Sequence, residues 1–480
     1  MRFSVILRYV GAVMIIVSAF MAISAAISFV SNDTGFYPLL LSSLLTLVLG
    51  GFPLLFVPRA DNITSKEGFT IVVGSWVLSC AVGMFPYLIW GGEFSLVNAW
   101  FESVSGFTST GASILTDIEA LPQGLLFWRS ASCWIGGAGV VMFALLILPL
   151  LGTNKMALSS IELSSLAKDN YHYRTQMVVR IVIVVYVGLT IATTLLLKVA
   201  GMRWFDAVNH AMSACATGGF STKNASIGYF DSALIESILI VVMFISSLHF
   251  GLIYSTFARK GNSLFRSEVV RTYVSIIVIA TLLVATSLFF SDTYPSVLTS
   301  LRKSAFQVVS LISTSGFATA NTNLWTPFAI VILIILSIIC GCAGSTSGGV
   351  KVDRMLLYSK VLAARLRTQQ HPAAIIRVRL DGILQEERHL QAVTLFLTTY
   401  FVLILAGTLT STLFGMDLLS AFSSSVAFIG NIGPGFGEIG SYDNYSEIPT
   451  ILKLQGSVLM LMGRLEIFGF IQFLFIKMWR

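Results

Sequence analysis

A chain of 480 residues would ordinarily divide into several soluble domains, but 55% of this one is apolar, 35 residues are Phe and only 11% are charged. Soluble domains carry about 25% charged residues, so most of the chain must face lipid or other buried helices. The net charge of +7 is spread over connectors rather than gathered in a compact basic domain, which argues against nucleic acid as a partner.

In chain order, Arg2 and Arg8 precede an apolar run to Phe29. The run is too long for a cleaved secretory signal, and a retained first helix is expected. Runs long enough to cross about 30 Å of hydrocarbon occupy 6–30, 37–57, 70–90, 125–151, 178–200, 233–257, 270–290, 391–414 and 450–478, and a tenth begins at Pro327 and is interrupted at Gly341. The first two form a hairpin over 1–60. From there a unit repeats: span, short apolar segment ending in a glycine motif, span. The units are 69–151, 177–258, 270–363 and 391–480, with a basic cytoplasmic connector at 364–390. The expected fold is an all-α integral membrane protein with ten transmembrane helices, four re-entrant pore loops around one pore, and an appended N-terminal hairpin.

The glycine motif carries the repeat. Its clearest copy is Val104-Ser105-Gly106-Phe107-Thr108-Ser109-Thr110-Gly111; the others run from Met212-Ser213 to Thr217-Gly218-Gly219, from Val309-Ser310 to Thr314-Ser315-Gly316, and from Val426-Ala427 to Asn431-Ile432-Gly433. Each glycine stands six positions after the small residue, and successive glycines are 108, 97 and 117 residues apart. Such a period marks internal repetition. The apolar stretches before them, 101–108, 205–215, 304–312 and 418–428, span half a bilayer at most when helical. Connectors on the N-terminal side (1–8, 58–68, 152–180, 258–271, 351–390, 477–480) hold 22 Lys/Arg against 9 Asp/Glu; those on the motif side hold 7 against 12. The positive-inside rule puts both termini in the cytoplasm and the motifs outside. That parity requires the motif segments to dip in and return.

Non-helical backbone is costly in hydrocarbon unless it is buried in protein or lines a water-filled path. Four such segments brought to one axis would present a ring of carbonyl oxygens able to replace the hydration shell of a monovalent cation. The half-helices before them would aim their negative ends at it. Acidic outer residues (Glu93, Asp117, Glu119, Glu438, Asp443, Glu447) would concentrate cations there.

Two further places break the usual rules of a membrane span. After Pro327–Cys340, residues 341–349 contain four glycines and no large side chain; this reads as a flexible loop rather than a helix-packing face. It lacks the G-K-[ST] ending of a nucleotide P-loop. Arg464 lies about mid-membrane, where it needs a carboxylate, carbonyls or water. A tie to a neighbouring helix and a pore-facing charge are both open. Glu236 is read as interfacial. The basic connector is read as a positive-inside loop or a docking surface for a cytoplasmic partner or anionic lipid. The five cysteines show no C-x-x-C pair, and the five histidines, among them His172, His210 and His249, show no metal-ligand spacing.

The chain resembles the superfamily of K+ transporters containing TrkH, TrkG and KtrB, with the two extra N-terminal helices favouring the TrkH branch. The resemblance rests on Phe107-Thr108-Ser109-Thr110-Gly111-Ala112, Thr217-Gly218-Gly219-Phe220-Ser221-Thr222, Thr314-Ser315-Gly316-Phe317, Gly430-Asn431-Ile432-Gly433-Pro434-Gly435 and the run Gly341 to Gly349. It implies K+ uptake across a bacterial inner membrane through a selective pore, with K+ as the transported ion, no cofactor in this subunit and no enzymatic activity. It implies a K+ filter at Thr110, Gly111, Gly218, Gly219, Ser315, Gly316, Ile432 and Gly433. The gate it implies comprises Gly344, Ser345, Thr346, Ser347, Gly348, Gly349 and Arg464. It also implies a homodimer and a TrkA-like cytoplasmic ring that binds nucleotide. The alternative is a secondary transporter coupling K+ to Na+ or H+; the sequence has one interrupted span and few mid-membrane carboxylates to support it.

Overall fold

The computed structural model describes residues 2–58, 60, 63–147, 175–258, 263–371, 376–465 and 467–474. Almost all regular structure is helical. Among the described residues, five helices or near-continuous helix pairs are long and apolar enough to cross a membrane: Phe3–Ser31, Phe36–Phe56, Lys66–Trp90, Glu268–Phe290 and Glu387–Leu413. Leu282 and Leu283 in the fourth, and Leu405 and Leu409 in the fifth, stand exposed, as a lipid-facing surface requires.

The N-terminal hairpin forms as expected. Asn32, in the left-handed region at φ 51°, caps Phe3–Ser31, and the two helices cross where Gly11 meets Gly50. A Cβ on Gly11 would lie 2.6 Å from the Gly50 carbonyl oxygen, and one on Gly50 would lie 2.7 Å from that of Gly11. Only paired glycines permit so close an approach, the usual means of joining helices in lipid. Ser18 and Ser43 hydrogen-bond across the same seam.

The four half-helices are Leu96–Phe107, Trp204–Cys215, Val297–Ile312 and Leu418–Gly430. Three are 12 or 13 residues long, about 18–20 Å at 1.5 Å per residue. The third begins seven residues before the expected 304, its outer turns carrying Arg302 and Lys303, whose charge hid them from an apolar reading. Asp417 accepts from Leu419 and Ser420 N–H groups to start the fourth, and Ser95 and Ser296 do the same for the first and third.

Several expectations change. A second span is broken: Ala233–Ser246 and Phe250–Thr256 meet at 102°, so Gly341 is not the lone interruption. The last run divides into Thr450–Arg464 and Ile467–Leu474. Glu236, in the first turn of its helix, is buried in protein and gripped by Arg302 at 2.6 Å and Lys303 at 2.9 Å. The connector is not an unstructured loop. Helix Val352–Gln370 runs through residues 363 and 364. It is followed by a two-stranded antiparallel ribbon, Arg379–Leu380 with Ile383–Leu384, the described residues' departure from an all-α fold. Val350, Leu357 and Val378 join one apolar core with Leu390, Phe396 and Tyr400, which fixes the connector against the fourth unit. His172 and Glu466 fall outside the described residues.

Candidate ion pore

Each half-helix ends in the same backbone construction. Ser109, Thr217, Thr314 and Asn431 adopt left-handed φ of 53°, 54°, 60° and 54°. Their N–H groups bond back three residues, to the carbonyls of Gly106, Ala214, Leu311 and Phe428. The next N–H groups, of Thr110, Gly218, Ser315 and Ile432, bond back five, to Ser105, Ser213, Ser310 and Ala427. This is the Schellman closure, which satisfies the last helical carbonyls. Glycine normally occupies the left-handed position; a β-branched Thr there costs on the order of 1–3 kcal/mol and persists only where the surroundings hold it. Four repetitions, two with Thr, mark the segments as built for something other than stability.

The residue two further on is always glycine with positive φ: 82° at Gly111, 68° at Gly219, 72° at Gly316 and 98° at Gly433. A side chain there would strike the next segment. A Cβ on Gly111 would run into the carbonyl oxygen of Gly218, one on Gly219 into that of Ser315, and one on Gly316 into that of Ile432. One on Gly433 would meet the Thr110 oxygen at 2.6 Å. The contacts run first to second, second to third, third to fourth and fourth back to first, so the four segments close into a ring. The carbonyls of Thr110, Gly218, Ser315 and Ile432 lie on it, each against the preceding wall's glycine. All eight residues expected from the sequence are thus together.

Side chains brace the ring from behind. Asn431 Nδ2 donates to Thr110 Oγ1 at 3.0 Å and to the Met460 carbonyl at 2.9 Å, tying the fourth wall to the first. Tyr445 donates its hydroxyl to the Gly433 carbonyl and its N–H to that of Ser113, both at 2.8 Å. Outside, Asn224 donates to Asp117, holding that carboxyl below the usual carboxylate range. Lys223 pairs with Glu119 at 3.0 Å. A recess above the ring is lined by Gly111, Gly219, Gly316, Gly433 and Asp443.

The glycine-rich loop sits against the ring's other side. The Thr346 hydroxyl is 3.1 Å from the Cys215 carbonyl and 3.2 Å from that of Ser246; the Thr217 hydroxyl reaches it at 3.4 Å. The Gly348 N–H donates to Thr314 Oγ1 at 3.1 Å. Arg464 Nη1 donates to the Thr346 carbonyl at 2.6 Å, and Nη2 to that of Gly136 at 3.1 Å. Arg464 thus ties the loop to a neighbouring helix. As the last residue of its helix, its cation also meets the negative end of the helix dipole. Ser345, Thr346 and Ser347 are buried, and every unit touches the loop directly or through Arg464.

The loop is also bound to the unexpected break. Cys342 N–H donates to the Ser247 carbonyl at 2.9 Å and Phe250 N–H to that of Gly344 at 3.1 Å. The ring of His249 packs so closely that a Cβ on Gly344 would lie 2.5 Å from its Cδ2. These bonds occupy backbone groups that the break at 247–249 would otherwise leave bare in hydrocarbon. Sequence reasoning also passed over Glu102 and Arg129, a fully buried ion pair at 2.8 Å. A signal existed: the position nine before each ring glycine holds Glu102, His210, Gln307 and Ser424, all polar.

These features define a helical membrane protein with a ring of main-chain carbonyls at the meeting point of four half-helices and a buried loop beneath it. Residues 41–479 match the family model described as TrkH: Cation transport protein, and the chain belongs to that family, whose members are transporters rather than enzymes. It is 35% identical over 486 residues, the whole of both chains, to the Trk system potassium uptake protein TrkH of Salmonella typhimurium. It is 32% identical to TrkG of Escherichia coli over 85% of this chain and 84% of the relative. The crystal structure of the potassium transporter TrkH from Vibrio parahaemolyticus superposes over all of both chains with a TM-score of 0.90 at 33% identity.

Proposed function

We propose that this chain is the membrane subunit of a Trk-type system for K+ uptake, admitting K+ through one pore per protomer. The observation that carries the reading is the cyclic order of contacts from Gly111 through Gly219 and Gly316 to Gly433, which brings four carbonyls into one ring. A dehydrated monovalent cation is stabilised by carbonyl dipoles in such a ring, and the four half-helix C-termini add negative potential. The reading includes ten spans with four re-entrant segments, a K+ filter at the eight ring residues, and a gate of Gly344–Gly349 with Arg464. It also includes a bacterial inner-membrane location with both termini cytoplasmic, a homodimer, and control by a TrkA-like nucleotide-binding ring. The names of the relatives, each a Trk system potassium uptake protein, support K+ as the ion.

The test is flux of K+ and Rb+ into liposomes holding the purified protein, with Na+ as competitor. Gly316→Ser places a side chain at φ 72° against the Ile432 carbonyl. It is expected to leave the protein folded and to reduce discrimination of K+ over Na+. Wild-type discrimination in that variant removes the third segment from the filter.

A further inference from the structure

The ring's walls share a backbone but not a brace. Counting back nine residues from each ring glycine gives Glu102, His210, Gln307 and Ser424, all in half-helices, the first three bonded to the segment that climbs away from the ring. Glu102 accepts from the Ile114 N–H at 3.0 Å and from the Ser113 hydroxyl at 3.0 Å. His210 Nδ1 faces the Asp206 carbonyl at 2.8 Å and therefore carries the hydrogen. Its Nε2 is left to accept from the Ser221 hydroxyl at 2.9 Å. Gln307 donates to the Ala320 carbonyl at 3.3 Å. Ser424 returns its hydroxyl to Ala421 in its own helix. At this register the side chain thus descends from charged carboxylate to imidazole to amide to hydroxyl, and the fourth wall is held instead by its neighbour Ser423, which accepts from the Phe436 N–H at 2.9 Å.

One brace also crosses between walls. Arg129, buried in Gln123–Ile147, donates Nε to Glu102 at 2.8 Å, Nη2 to the Ser113 hydroxyl at 3.1 Å and Nη1 to the Ser221 carbonyl at 3.2 Å. Its guanidinium carbon lies 4.1 Å from the centre of the Phe220 ring. Ser113 and Ser221 each stand two residues past their ring glycines. One planar cation, neutralised by one carboxylate, therefore fixes the exit of the first wall to the exit of the second. A guanidinium suits this task because its donors lie in one rigid plane.

We propose that Glu102, clamped by Arg129, is a positioning residue for ion selection: it sets the separation of the first and second walls, and so the size of cation the ring fits. The proposal rests on the pore reading above. An ionic clamp that joins two walls is stiff, so selection depends on the separation of the first and second walls, which Ser424, bonded within its own helix, does not set.

The test compares K+, Rb+ and Na+ flux in liposomes for the double variant Glu102→Gln with Arg129→Gln, for Ser113→Ala and for Ser424→Ala. Neutralising both partners avoids the isolated buried charge that a single change would leave. Ser113→Ala removes only the hydroxyl both side chains share, and carries the test if the double variant does not fold. The expected result is a fall in the K+ to Na+ ratio of about fivefold in the double variant, equivalent to about 1 kcal/mol. A smaller fall is expected in Ser113→Ala and none in Ser424→Ala. Proportionate loss of all three fluxes at an unchanged ratio overturns the proposal, since a purely structural pair would give that. Gly316→Ser measured alongside separates the failures: if it lowers the ratio while the brace variants do not, the pore reading stands and this inference falls.

Discussion

Removal of Arg464 gives the sharpest test of the gate. Its Nη1 bond to the Thr346 carbonyl, at 2.6 Å, is the one that engages the loop; its Nη2 bond to Gly136 engages a helix. A hydrogen bond from a charged group contributes about 1.5–3 kcal/mol net. Arg464→Ala therefore weakens the loop's seat by that amount, which shifts the ratio of seated to released loop about 10- to 100-fold at 1.4 kcal/mol per decade. The variant also removes a cation from beneath the ring, which raises cation occupancy in the same direction. Rb+ uptake into liposomes, without any cytoplasmic partner, is expected to rise. Arg464→Lys retains the charge but cannot span both carbonyls, and should give an intermediate rise. Unaltered or reduced flux in Arg464→Ala, together with the same outcome for a deletion within 344–348, refutes the assignment of the loop as gate.

Two other outcomes follow from charges away from the ring. Glu236→Gln leaves Arg302 and Lys303 without the buried carboxylate that holds both. Because one partner of each pair is partly exposed, the loss is expected at about 2–3 kcal/mol, below the range for fully buried pairs, measured as a lower midpoint of thermal unfolding in detergent. Asp117, held down by Asn224, contributes to the outer link between the first and second units. A depressed carboxyl contributes fully above its ordinary value of about 3.9 and loses that contribution as pH falls through its folded value. Amide-exchange protection in loop 117–119 should therefore be constant at neutral pH and fall at pH below about 4, and Asp117→Asn should abolish that dependence.

The spans, the half-helices and the ring were legible because lipid imposes simple rules: long apolar runs, a charge bias between connectors, and glycine where backbone must come close. What the sequence concealed depends on partners distant in the chain. Nothing in Ile245-Ser246-Ser247-Leu248-His249-Phe250 marks a bend of 102°, because the groups that satisfy the exposed backbone come from residues 342–346. The pairing of Glu236 was hidden because its partners, Arg302 and Lys303, lie 66 and 67 residues away. Helix Val352–Gln370 was hidden by its own cations, since it packs only one face. The polar positions behind the ring could have been found by register, but only once the glycines were aligned.

The seat of the loop and the walls of the ring are built from shared residues, so the proposed gate and the proposed filter are joined. The left-handed residues of the second and third walls, Thr217 and Thr314, direct their hydroxyls at Thr346 and Gly348 of the loop. Those of the first and fourth walls lean elsewhere: Ser109 on the Cys133 carbonyl at 3.2 Å, Asn431 on Thr110 and Met460. When the loop leaves, the second and third walls lose a side-chain hydrogen bond to it. Thr314→Val keeps the shape of the side chain and removes the acceptor for the Gly348 N–H, a neutral bond of about 0.5–1.5 kcal/mol. Basal Rb+ flux should therefore rise about two- to tenfold, less than for Arg464→Ala, with the K+ to Na+ ratio lowered in the same variant. A rise in flux at an unaltered ratio would mean that the third wall holds its shape without the loop, and would separate the two functions that Thr314 joins.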